Sequence, residues 1–126
     1  MIPPRSALAV GLLLLAVLSG TPRPATAHAL VLESSPRADE VLMVSPQRIF
    51  LRFNSRIEKA LSRITLTDPA GRAVPLPVAA PDPSPNYLVV PVPPLEPGRY
   101  LVRWKVLYAD GHVTKGAFGF GVGTPP

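Results

Sequence analysis

Apolar residues recur at every second position through much of the chain. In Arg48-Ile49-Phe50-Leu51-Arg52-Phe53, the side chains of Ile49, Leu51 and Phe53 fall on one face, the pattern of a half-buried strand. Ile64-Thr65-Leu66-Thr67 repeats the pattern on a shorter scale, and Asp68-Pro69-Ala70-Gly71 then turns the chain. The longest alternation runs from Arg99 to Tyr108, with Tyr100, Val102, Trp104 and Val106 on one face and Arg103 and Lys105 on the other. Val113 to Val122 follows, with Phe118, Phe120 and Val122 opposed to glycines 119 and 121. Asp110-Gly111 between these two runs is a hairpin signal.

The weaker segments are also expected to be extended. Ala29 to Glu33 alternates and should end at Ser34-Ser35-Pro36, and Tyr87 to Val92 reads as a further strand. Pro75, Pro77, Pro81, Pro83 and Pro85 remove backbone donors, so residues 74–86 are expected to form an edge strand running into a loop. A helical turn fits around Ser55 to Ser62. About seven short strands separated by turns predict an all-β fold, an immunoglobulin-like Greek-key β-sandwich.

The N-terminal region has a different pattern. A basic start at Arg5, an apolar run from Ala7 to Leu18 and the small residues Ala25-Thr26-Ala27 have the form of a signal peptide cleaved after Ala27. The run is too short for the roughly 20 residues that span a bilayer, so export with cleavage is expected rather than anchoring. Removal of residues 1–27 from the 126 leaves 99, enough for one domain over 28–126. Arg5 and Arg23 leave with the leader, so eleven basic residues face eight acidic ones, a formal charge of +3.

Those basic residues form no run in sequence and no aromatic platform separates them, which argues against nucleic-acid binding. The chain has no cysteine, which excludes thiolate sites for zinc, iron–sulfur clusters or blue copper. Met43 is the one methionine beyond the leader, too few for a methionine-rich Cu(I) site within one chain. No glycine-rich phosphate loop or paired-carboxylate motif stands out.

The remaining chemistry lies in the two histidines. Cleavage after Ala27 would make His28 the first residue, with an α-amine and an imidazole able to chelate one metal. His112 lies in Asp110-Gly111-His112, where equal parity lets Asp110 and His112 project together. Three nitrogens and one carboxylate oxygen suit tetragonal Cu(II). Amine and imidazole must lose protons to bind metal near neutrality, so affinity should fall on acidification. The expected ligands are His28, Asp110 and His112, holding one Cu(II).

Beyond the leader, the chain resembles the CopC/PcoC family of periplasmic copper-binding proteins. The resemblance rests on His28-Ala29-Leu30 with Ser34-Ser35-Pro36, on Arg48 to Phe53, on Pro97-Gly98-Arg99-Tyr100 and Val102-Arg103-Trp104, and most specifically on Tyr108-Ala109-Asp110-Gly111-His112 with Phe118-Gly119-Phe120-Gly121-Val122. It implies a seven-stranded Greek-key sandwich and a Cu(II) site at the same three residues. It also implies a periplasmic role in copper homeostasis or resistance, with handover to a CopD-type membrane copper importer. Family members often carry a glutamate near the site after the second strand, where this chain has Asn54-Ser55-Arg56, leaving Glu58 as a candidate substitute. A non-enzymatic carrier or buffer is the leading expectation. The alternatives are a copper-dependent oxidative enzyme with a terminal-histidine chelate, and a metal-free structural sandwich in which replacing His28 and His112 changes nothing.

Overall fold

Alternating burial builds two sheets that share one core. The computed structural model describes residues 31–123, so the leader and His28 lie outside the described residues. The strands are β1 Val31–Ser35, β2 Val41–Leu42, β3 Arg48–Phe53, β4 Arg63–Thr67, β5 Ala73–Val74, β6 Tyr87–Pro91, β7 Gly98–Leu107 and β8 Val113–Val122. A single 3-10 turn, Lys59–Leu61, lies between β3 and β4.

One sheet has the order β1-β3-β6 and the other β2-β8-β7-β4-β5. All neighbours are antiparallel except β2, which pairs parallel with the end of β8 through Val41 opposite Gly121 and Leu42 opposite Val122. Ile49, Leu51, Phe53, Leu88 and Val90 from the first sheet meet Leu66, Tyr100, Val102, Trp104, Val106 and Phe120 from the second in one buried cluster. Each fully buried side chain of this kind contributes about 1.5–3 kcal/mol relative to exposure. The all-β, two-sheet sandwich expected from the sequence is the fold observed.

Two local details differ from expectation, and a third follows it. β1 continues through Ser34 and Ser35, which pair with Leu51 and Phe50 instead of ending the strand. β2 was not expected, because two residues are too few to show an alternation. Residues 75–86 carry no strand after the short edge strand β5, as their prolines required. Among the described residues no helix is long and apolar enough to cross a membrane.

Candidate metal centre

The β7–β8 hairpin closes through a three-residue loop whose geometry is set by glycine. Gly111 N–H donates to the Tyr108 carbonyl at 2.9 Å, and Tyr108 N–H donates to the His112 carbonyl at 2.8 Å. Gly111 has φ +94°, the left-handed conformation that completes this class of hairpin loop. The loop projects Asp110 and His112 from the end of the sandwich, both exposed.

Asp110 grips His112 twice. Its Oδ1 accepts the His112 backbone N–H at 3.0 Å, and its Oδ2 lies 2.9 Å from His112 Nδ1. The two residues therefore meet as the sequence led us to expect, through an aspartate turn across a left-handed glycine and not through strand alternation. The His112 amide, followed by its ring, holds the Asp110 carboxyl below the usual aspartate range. Hydrogen bonding to the charged form is the dominant cause.

The base of the hairpin is fixed by residues that sequence reasoning did not assign to the site. Tyr108 is buried, its ring edge-on to Phe53 at 6.4 Å between centroids, and its hydroxyl donates to Asn54 Oδ1 at 2.8 Å. Burial, with the nearby Asp110 charge, pushes the Tyr108 phenol up, which keeps it a donor. Ala109 N–H donates to the Arg56 carbonyl at 3.0 Å and Glu58 N–H to the Leu107 carbonyl at 2.8 Å. The signal for Tyr108 lay in its parity, which continues the series Tyr100, Val102, Trp104 and Val106. No sequence signal marked Asn54.

These contacts locate the entry of the chain. Val31 pairs with Phe53, and Phe53 neighbours both Asn54 and the Tyr108 ring. β1 thus enters at the end of the sandwich that carries Asp110 and His112. Among the described residues no three His, Cys, Asp or Glu side chains gather around a common point. Glu58 therefore does not complete the Asp110–His112 pair, and Ser55 is exposed.

The family model of the CopC domain matches residues 31–123. The chain belongs to the CopC domain family. Its CopC domain is similar to Protein YobA of Escherichia coli (strain K12), with 35% identity over 98 residues, covering 76% of this chain and 79% of that protein. It is similar to copper resistance protein C of Escherichia coli, with 32% identity over 114 residues and coverage of 84% and 90%. The crystal structure of CopC from Methylosinus trichosporium OB3b matches with a TM-score of 0.73 at 32% identity, covering 79% of this chain and 97% of that one. The family expected from the sequence is therefore the family found. Within this CopC domain, the hairpin loop between β7 and β8 holds the one histidine of the described residues.

Proposed function

We propose that this protein binds one Cu(II) ion and acts as an exported, non-catalytic carrier or buffer of copper. The ligands in this reading are the amine and imidazole of His28, freed by cleavage after Ala27, together with Asp110 and His112. The observation that carries it is the 2.9 Å separation of Asp110 Oδ2 and His112 Nδ1. Two donors bound to a first-row divalent ion at about 2.0 Å and at right angles lie about 2.8 Å apart, so an ion that displaces the proton on Nδ1 finds the pair spaced for one edge of a tetragonal site.

The entry of β1 supports the remaining edge. His28 lies three residue steps before Val31, a span of at most about 10 Å, and Val31 enters at the end of the sandwich where the hairpin loop lies. A histidine amine and ring occupying the other two positions would fill the plane with protein donors. That arrangement suits holding and delivering an ion more than turning over a substrate. Export to the periplasm and delivery to a CopD-type membrane importer belong to the same reading, and the names of the copper resistance relatives support its copper-handling part.

Electron paramagnetic resonance of the cleaved protein with one equivalent of Cu(II) tests it. The expected spectrum is that of a tetragonal site whose hyperfine structure reports three nitrogens. A spectrum that is unchanged by His112→Ala would overturn the assignment.

A further inference from the structure

The outer face of the five-stranded sheet carries four cations that the fold itself does not use. Register sets Arg63 opposite Lys105 and Lys105 opposite Lys115, so three positive side chains form one row across β4, β7 and β8. Adjacent strands lie about 4.8 Å apart, which makes the row about 10 Å wide. Arg103, two residues along β7, adds a fourth charge beside it. All four are exposed.

None of the four forms an ion pair among the described residues, whereas Arg52, Arg72 and Arg99 each lie within 3.3 Å of a carboxylate oxygen. The five strands of this sheet contain no aspartate or glutamate. Like charges directly opposite one another weaken a sheet, so this row has no structural benefit to explain it. Between the cations lies a shallow depression of about 170 Å³ with a mostly apolar floor, lined by Arg63, Thr65, Arg103, Lys105 and Lys115 together with Trp104 and Gly116.

We propose that this face is a docking surface for an acidic segment of a partner protein, whose carboxylate side chains enter the depression between Arg63, Arg103, Lys105 and Lys115. A row of fixed positive charges steers such a partner and sets its orientation. A lipid bilayer is the poorer match. Val113 is the only large apolar side chain exposed on β4, β7 or β8, no aromatic is available to insert, and a flat array of headgroups leaves the depression empty. The Lys105–Lys115 pair lies one two-residue step from Leu107–Val113, the last pair before the hairpin loop, so a partner docked here reaches Asp110 and His112. The proposal stands on the sheet face alone and requires no metal at the loop.

Titration of an acetylated hexaglutamate peptide into the ¹⁵N-labelled protein tests it. Amide shifts are expected to concentrate at Thr65, Arg103, Lys105 and Lys115, with affinity falling steeply as salt is raised. Lys105→Glu with Lys115→Glu should weaken binding about tenfold or more, and Arg37→Glu with Arg48→Glu, an equal change in net charge elsewhere, by less than about threefold. Lys105→Gln with Lys115→Gln provides the same comparison should the charge reversal disturb folding. Equal losses in the two charge-reversed proteins, or shifts spread over Arg37, Arg48 and Arg72, would overturn the docking face. Stronger protection of these amides by phosphatidylglycerol vesicles than by the peptide would overturn the choice of a protein partner.

Discussion

Gly111 decides the conformation of the loop on which the candidate ligands sit. Its φ is +94° and no heavy atom lies within 4 Å of the position a Cβ would take, so an added methyl group meets no neighbour and acts only through the backbone. Gly111→Ala is expected to destabilise the protein by about 1–2 kcal/mol in urea unfolding, the usual penalty for a side chain in the left-handed region. Asp110 gives a prediction in pH. Its folded carboxyl is held below the ordinary value of 3.8, so its contact with His112 is complete above that value and is lost as pH falls through the lower folded value. Carbon-detected NMR should find the Asp110 carboxyl titrating below 3.8, and Gly111→Ala should move that midpoint back toward it. Both ligand candidates were legible in the sequence because Asp-Gly marks a turn and His112 follows at once. Asn54 was not, since its role depends on meeting a tyrosine 54 positions away.

At the scale of elements, the β7–β8 hairpin is the best specified part of the molecule. Ten residues in each strand alternate in burial with few exceptions, and their pairing runs without a break from Gly98–Val122 to Leu107–Val113. Gly116 has a packing role inside it, because a Cβ there would collide with Cζ2 of Trp104. The indole occupies the space a side chain would need. Gly116→Ala is therefore expected to destabilise by about 1–3 kcal/mol through overpacking, with a change in Trp104 fluorescence in the folded state. The sequence showed β7 and β8 through their period but did not show β2. Two residues display no period, and a parallel partner at the far end of β8 leaves no turn signal between them.

For the whole molecule, the decisive feature is that β1 and the hairpin loop arrive at one end of the sandwich. That convergence depends on Val31 pairing with Phe53 and on Asn54 meeting Tyr108, contacts between segments far apart in the chain. Alternation identifies which residues face inward, but it does not say which strand ends lie together. The two histidines suggested that meeting through their shared chemistry, and the family resemblance pointed to the same three residues, where local pattern was silent. If His28 completes the site, one extra residue before it converts the amine to an amide and should weaken Cu(II) binding by about tenfold or more while the unfolding midpoint stays unchanged. Isothermal titration of the two forms, with mass spectrometry of their first residue, checks this directly.

The loop at the tip of the hairpin is attached to the sandwich by main-chain hydrogen bonds and by the buried Tyr108 beneath it, while Asp110 and His112 point into solvent. Their side chains contribute nothing to the interior. Substitution at Asp110 or His112 therefore leaves the interior intact, so the chemistry the loop presents can change while the scaffold beneath it stays the same.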